Sequence, residues 1–299
     1  MGKEYRLDQV YREAERYSID RGSRIVCMSD CHRGVGDHAD NFLPNQNVYF
    51  AALEYYYQRG FVYAELGDGD ELWENRSLKR IVECHSDSYW MISQFYKSCR
   101  FYMLYGNHDR KKRNFKFLEG HCGSYYCDSS DEQCELLKGI KAREGVVLKE
   151  RCSGHEILLV HGHQGDLLND TLWPLARFLV RYLWRPLEML GIYDPTSAAR
   201  NYKKRKKTER RLDRWAQEHQ VMVIAGHTHR PVLPKPGKSL YLNDGSCVHP
   251  RCITALEIEN GAITLVKWSV MVRHGRQLSV EREVLEGPVS IHLFWEKER

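Results

Sequence analysis

The chain has 299 residues, with Lys+Arg 45 against Asp+Glu 40, 42% hydrophobic and 11% aromatic. Regular apolar segments at this density can offset the entropy of ordering, which excludes wholesale disorder. No stretch reaches the roughly 18 uncharged apolar residues of a membrane-spanning helix. The opening, MGKEYRLDQVYREAERYSIDRG, is charged throughout and lacks the apolar region of a signal peptide. Position 6 is Arg6, a poor fit to a myristoylation signal. No signal peptide is expected on this reading, so the ten scattered cysteines are expected to be free thiols in a reducing cytosol. Residues 200–214 hold nine Lys/Arg and two Asp/Glu, so one local patch sets the basic balance and points to an anionic partner.

In chain order, residues 4–17 read as a charged helix. A theme then repeats: a short β-branched or aromatic run ends abruptly in polar, metal-competent residues. RIVCMS leads to Asp30 and His32, FVYAEL to Gly67 and Asp68, and RFYMLY to Gly106, Asn107, His108 and Asp109. EILLV leads to His161, Gly162 and His163, and VMVIA to Gly226, His227, Thr228 and His229. Each run has the length and composition of a strand. Helical patterns at 45–59 and 76–97 lie between them, so the fold class is α/β, with ligands expected at the carboxyl ends of the strands. Segments 239–243, 252–258 and 262–270 read as a meander with Asn-Asp-Gly and Glu-Asn-Gly turns. The whole chain, 1–299, is expected to be one domain. Residues 111–153 and 167–219 break the strand rhythm and read as insertions over the active-site edge, the second a helical, basic and aromatic cap.

Asp30, His32, Asp68, Asn107, His161, His227 and His229 offer carboxylate, amide and imidazole donors at the ends of five separate strands. On an extended chain residues i and i+2 project to one side, so each D-x-H or H-x-H pair can grip one ion. Mixed nitrogen and oxygen donors suit Mn²⁺, Zn²⁺ or Fe²⁺ better than Ca²⁺ or Mg²⁺ alone. Seven donors exceed one tetrahedral ion. With a shared carboxylate they suit two ions about 3.5–4 Å apart, as used for displacement at phosphorus.

The ordered blocks D-x-H (Asp30, His32), G-D (Gly67, Asp68), G-N-H-D (Gly106 to Asp109), H-G-H (His161 to His163) and G-H-T-H (Gly226 to His229) resemble the calcineurin-like metallophosphoesterase superfamily over about 24–247. The resemblance implies a four-layer α/β/β/α sandwich. It also implies that Asp30, His32, Asp68 and His229 hold one metal. Asp68, Asn107, His161 and His227 would hold the other, with Asp68 bridging. A hydroxide between two divalent ions, Mn²⁺ first and Zn²⁺ or Fe²⁺ as alternatives, would then attack phosphorus. His108 would contact the phosphoryl oxygens or protonate the leaving group, with Asp109 orienting it. His163 would contact the substrate or support a metal ligand. Glu71 reads either as such a support or as a helix-start acid. Asn243 to Ser246 would brace the last strand end.

The substrate must be read from the insertions. In 170–186, Arg177, Arg181 and Arg185 form one stripe beside Trp173, Phe178, Leu179, Tyr182 and Leu183, a character that suits an interfacial helix or an acyl-chain cap. The run 203–207 could then face anionic headgroups. A packed helix with a solvated charge run is the alternative. Arg110, Lys111, Lys112 and Arg113 would rim the site and engage a diphosphate, or else form a solvated loop. Within the superfamily, Gly67 to Trp73, the basic insertion and G-H-T-H-R-P at 226–231 look like the UDP-2,3-diacylglucosamine diphosphatase branch, which cleaves a nucleotide–lipid diphosphate at a membrane surface. His108 stands where that branch has Arg, and Trp73 is shifted from the usual spacing. The expected protein is a cytoplasmic phosphohydrolase or pyrophosphatase, peripheral to the inner face of the membrane, with a lipid-linked nucleotide as substrate. A nuclease, phosphodiesterase or phosphomonoesterase acting on a soluble nucleotide or nucleic acid is the alternative. A scaffold that has lost the chemistry is disfavoured, because every expected ligand is present.

Overall fold

A computed structural model describes residues 4–127, 132–166, 177–184, 201–273 and 275–296. In chain order the strands are β1 (Glu15–Ile19), β2 (Ile25–Met28), β3 (Val62–Leu66), β4 (Phe101–Leu104), β5 (Ser124–Cys127), β6 (Glu132–Glu135) and β7 (Gly145–Glu150). They continue as β8 (Glu156–Val160), β9 (Met222–Ala225), β10 (Tyr241–Asn243), β11 (Cys252–Glu259), β12 (Ala262–Val272) and β13 (Leu278–Ser290). The helices are α1 (Glu4–Glu13), α2 (Gln46–Gln58), α3 (Leu78–Cys84), α4 (Ser86–Lys97), α5 (Phe115–Cys122) and α6 (Tyr202–His219).

Two sheets carry the fold. One is ordered β13-β12-β11-β2-β3-β4, with β2, β3 and β4 parallel; the other is ordered β1-β7-β8-β9-β10, with β8, β9 and β10 parallel. Strand alternation assigns the layers. In β2, Ile25 and Cys27 enter the core shared with the second sheet, while Val26 and Met28 enter the core under α2 to α5. On the far side, Leu7 and Val10 of α1 and Leu212, Trp215 and Ala216 of α6 pack on the second sheet. The order helices, sheet, sheet, helices is the expected four-layer sandwich.

Several boundaries differ from expectation. The first helix stops at Glu13, and Glu15–Ile19 becomes β1 because its backbone finds β7 as a parallel partner. The helical run 76–97 breaks at His85, whose ring hydrogen bonds Asp40 Oδ2 at 2.8 Å and Gln46 Oε1 at 3.1 Å. The meander holds for β11 and β12, joined through Asn260 and Gly261 at φ +54° and +73°, as a two-residue turn requires. β10 instead joins β9 in the other sheet, and β13 extends the meander with a charged strand whose apolar signal is weak.

Segment 111–153 supplies α5 and β5 to β7, and β7 lies inside the second sheet. In 167–219, residues 167–176 and 185–200 lie outside the described residues. Residues 177–184 are helical, and α6 buries Thr208, Leu212, Trp215 and Ala216 against the sheet. The basic run 203–207 is thus the first turns of a layer helix, started by Asn201, whose side chain accepts from the Lys204 amide. Nine cysteines are described as free, as expected. No helix among the described residues is long and apolar enough to cross a membrane.

Trp215 is fully buried and donates from Nε1 to Asp8 Oδ1 at 2.7 Å, tying α6 to α1. Trp215→Ala should lower stability by about 3–5 kcal/mol in equilibrium urea unfolding. A change near zero would mean that α6 is not an integral layer.

Candidate metal centre

The parallel strands of both sheets end at one place. Asp30 and His32 follow β2, Asp68 follows β3, Asn107 and His108 follow β4, His161 follows β8, and His227 and His229 follow β9. The pairs do not converge by extended geometry. Asp30, His32, Asp68, His227 and His229 have φ of +51°, +47°, +49°, +66° and +52°. A non-glycine residue in this region costs on the order of 1–3 kcal/mol, so surrounding contacts must impose it.

Those contacts are present. The amides of Asp30, His32 and Arg33 donate to the carbonyls of Gly67, Asp68 and Gly69 at 3.1, 2.9 and 3.0 Å. Asp30 Oδ2 accepts from the His227 amide at 2.8 Å, and Asp68 Oδ1 from the His108 amide at 2.7 Å. At Gly106 a Cβ would sit 2.1 Å from Asp68 Oδ1, so only glycine lets the chain pass the carboxylate.

Two donor groups result. The ligand atoms of Asp30, His32 and His229 lie within 4.8 Å of one another, and so do those of Asp68, His161 and His227. Asp30 Oδ1 is 3.0 Å from His229 Nε2 and 3.7 Å from His32 Nε2, which itself lies 4.0 Å from Asp68 Oδ2. His32 Nε2 is buried without a hydrogen bond among the described residues. His161 Nδ1 donates to the Leu66 carbonyl at 3.0 Å, which in the neutral ring leaves a lone pair on Nε2. That nitrogen faces Asp68 Oδ2 at 3.0 Å and Asn107 Oδ1 at 3.2 Å. Three acceptors converging in a buried space require a positive charge. In the bare protein a proton meets the need: burial alone would lower His161, but Asp68 and Asp30 raise it to about 9. A divalent cation meets the same need, so Asp68, His161 and His227 fit a metal, and Asp30, His32 and His229 would hold a second.

His108 is held from two sides. Its Nδ1 hydrogen bonds Glu71 Oε1 at 2.8 Å, and its ring stacks on Trp73 at 4.1 Å between centroids. Glu71 also takes His32 Nδ1 on Oε2 at 2.7 Å. Burial alone would raise Glu71, but His108 and His32 bring it down to about 2. The expected orienting role of Asp109 is therefore corrected, because Glu71 has it. Asp109 instead accepts from the amides of Gly106 at 2.7 Å, Asp68 at 3.3 Å and Gly69 at 3.1 Å, and pairs with Lys112 at 2.7 Å. It holds the backbone under the Asp68 carboxylate.

Lys112 is corrected as well, from rim to interior. It is fully buried, 2.6 Å from Asp70 Oδ2, which also accepts from the Tyr89 hydroxyl. Arg33, equally buried, pairs with Asp70 at 2.8 Å and Glu65 at 2.9 Å. The sequence offered one signal for Lys112, its i+3 spacing from Asp109; Arg33 gave none beyond following His32.

Of the other expected substrate contacts, Arg110, Lys111 and Arg177 are partly exposed and Arg113 is exposed. Burial, with the charges of Arg177 and Arg181, lowers Lys111. Arg181 is turned away from that role: it donates to the carbonyls of Leu72, Trp73 and Asn75. His163 is fully buried, and neither ring nitrogen has a hydrogen bond among the described residues. Burial and the neighbouring His161 and His227 keep it well below the usual histidine range.

A calcineurin-like phosphoesterase family model matches residues 23–231. The chain belongs to this family. Metal-dependent phosphoester hydrolysis is the activity of that family, and the paired donor groups fit it. Among solved structures, this calcineurin-like phosphoesterase is similar to Vacuolar Protein Sorting 29 from Cryptosporidium parvum at 12% identity, TM-score 0.38, covering 90% of this chain and 100% of that one. Chaetomium thermophilum Vps29 follows at 11% identity, TM-score 0.37, with 88% and 95% covered. A hypothetical protein from Thermus thermophilus has 14% identity, TM-score 0.32, with 89% and 100% covered. Likenesses this distant carry nothing about activity. No curated protein matches the chain.

Removing Lys112 as Lys112→Met should cost about 3–5 kcal/mol in equilibrium unfolding, because Asp70 and Asp109 lose their buried cation. A solvated rim lysine would shift stability by only about 0.5 kcal/mol.

Asp244 gives a pH prediction. The Ser29 hydroxyl lies 2.5 Å from Asp30 Oδ2 and 2.8 Å from Asp244 Oδ1. One hydroxyl proton cannot serve two carboxylates, so Asp244 must bring its own. Burial and the charge of Asp30 agree, holding Asp244 well above the usual range. A raised folded pKa means stability present at low pH and lost as pH rises past the unfolded value near 4. In chelator-treated protein, Asp244→Asn should therefore gain stability relative to wild type between pH 4 and neutrality. A pH-independent difference would show Asp244 ionised.

Proposed function

We propose that this phosphoesterase cleaves a phosphoester or phosphoanhydride bond in an amphipathic nucleotide-diphosphate substrate of the UDP-2,3-diacylglucosamine kind, working at a membrane surface from the cytoplasm. The observation that carries the hydrolytic reading is a pair of adjoining donor groups, Asp30, His32 and His229 beside Asp68, His161 and His227, with His32 Nε2 of the first 4.0 Å from Asp68 Oδ2 of the second. Asp30, His32 and His229 would hold one divalent cation, Asp68, His161, Asn107 and His227 the other. When bound, such a pair supplies Lewis acidity and a water acidic enough to attack phosphorus near neutral pH.

The chain's own residues do the rest. Glu71 accepts a hydrogen bond from Nδ1 of both His32 and His108, which leaves His32 Nε2 for a cation and His108 Nε2 for the substrate. Trp73 covers one face of the His108 ring and keeps bulk water from it. Lys111, next to Arg110 in sequence and under the charge of Arg177, favours a substrate carrying more than one phosphate charge. The support for an apolar tail is the helical turn that bears Arg177. It leaves Phe178, Leu179 and Tyr182 at 57%, 41% and 54% exposure, an uncommon set of neighbours for a surface in water alone.

The test is metal-dependent release of UMP from a UDP-linked glycolipid in mixed micelles, beside release of nitrophenol from a soluble phosphodiester. Chelator-stripped protein should be inactive on both, Mn²⁺ should restore turnover, and isothermal titration should count two ions per chain. Asn107→Ala should lose roughly 100-fold or more in kcat. Turnover of the soluble ester alone would overturn the lipid substrate. Full activity of stripped protein would overturn the metal reading.

A further inference from the structure

The turn 177–184 lies far in sequence from loop 70–76, yet two side chains join them in opposite directions. Arg76 donates from Nη2 to the Tyr182 hydroxyl at 2.9 Å. Arg181 reaches back with Nε to the Trp73 carbonyl at 2.8 Å and with Nη2 to the carbonyls of Leu72 at 2.8 Å and Asn75 at 3.1 Å. On the other side of the loop, Glu71 Oε1 accepts from the amides of Trp73 at 3.2 Å and Glu74 at 3.4 Å.

These bonds share peptide groups. The Leu72 carbonyl and the Trp73 amide are one planar unit, and the Trp73 carbonyl and the Glu74 amide are the next. Two consecutive peptide planes therefore stand between a guanidinium on their oxygens and a carboxylate on their N–H groups. Each plane is polarised by both charges, which strengthens the bonds at either end. The carboxylate so held is the one on His108 Nδ1 and His32 Nδ1, at 2.8 and 2.7 Å. The residue between the planes is Trp73, 4% exposed and stacked on His108; its indole N–H has no hydrogen bond among the described residues, so the ring is placed by its backbone and by packing.

We propose that Arg181 is a positioning residue: through the peptide groups 72–73 and 73–74 it fixes Glu71 and Trp73, and through them the orientation of His108. This rests on the phosphohydrolase reading. In that reaction a water gives up a proton to solvent as its oxygen bonds to phosphorus. The bond from phosphorus to the leaving oxygen breaks with its electron pair, and that oxygen takes the proton from His108 Nε2, which ends as neutral imidazole. A misplaced His108 harms leaving groups that need the proton, such as alkoxides, more than nitrophenolate, which departs without it.

The test compares wild type, Arg181→Ala and Arg181→Lys on an alkyl and a nitrophenyl ester of the same phosphate, with Mn²⁺ binding measured alongside. For Arg181→Ala, the loss of kcat on the alkyl ester should exceed the loss on the nitrophenyl ester by roughly tenfold or more. KM should move little, and the metal stoichiometry should stay that of wild type. Lysine, which lacks the fork that spans three carbonyls, should not restore the alkyl rate, whereas added guanidinium should restore part of it in the alanine variant. A rise in KM with kcat unchanged on both esters would make Arg181 a substrate contact and overturn the proposal. Equal losses on both esters would also overturn it, leaving a general structural role. A readout independent of turnover is the His108 Nδ1–H resonance. It should exchange with solvent faster in Arg181→Ala than in wild type, and unchanged exchange would sink the proposal even in an active enzyme. If wild type itself turned over neither ester, the functional reading would fall, and the exchange measurement would still decide the positioning of His108.

Discussion

The backbone of Asp68 is the point on which the site depends. Its amide is held by Asp109, its carbonyl takes the His32 amide, one carboxylate oxygen takes the His108 amide, and the other faces His161. Four strand ends are thereby referred to one residue, itself at φ +49°. A left-handed aspartate is unfavourable in isolation. It persists because each atom it offers is already engaged, and Gly106 leaves room beside it.

Beneath Asp68 lies a buried charge network rather than an apolar core. Arg33 and Lys112 face Glu65, Asp70 and Asp109, all shielded from water, with Tyr89 and Tyr63 hydrogen bonded to the acids. Buried ion pairs are poor sources of net stability but costly to break, so they fix geometry. Here they fix the loop from Asp68 to Glu71 from below, while the turn 177–184 fixes its continuation to Asn75 from above. The loop that carries Glu71 is thus held between the fold's interior and a segment contributed from the other sheet's connections.

Much of this was legible in the sequence wherever information is local. The five polar blocks after strand-like runs gave the strands and the donor set, because a strand end and its following residues are neighbours in both chain and space. What failed was non-local. Lys112 sits in a run of four basic residues and reads as solvated; only Asp70, at the end of another strand connection, draws it inside. Asp109 follows His108 directly and reads as its partner, but the chain turns its carboxylate toward three amides, and Glu71 arrives from a different loop. The first helix ended early because β7 was available to pair with residues that are too charged to announce a strand.

By itself the sequence determined the α/β class, the order of the strand-end blocks and the kinds of donor atom they bring, since these follow from residue type and short spacing. The tertiary structure decided which carboxylate orients which imidazole, which cations face water and which are entombed, and that Arg181 meets a loop instead of open solvent. Those outcomes are set by the distances between side chains from separate strands and by the burial that strengthens their charges, and neither quantity is written in the linear chain.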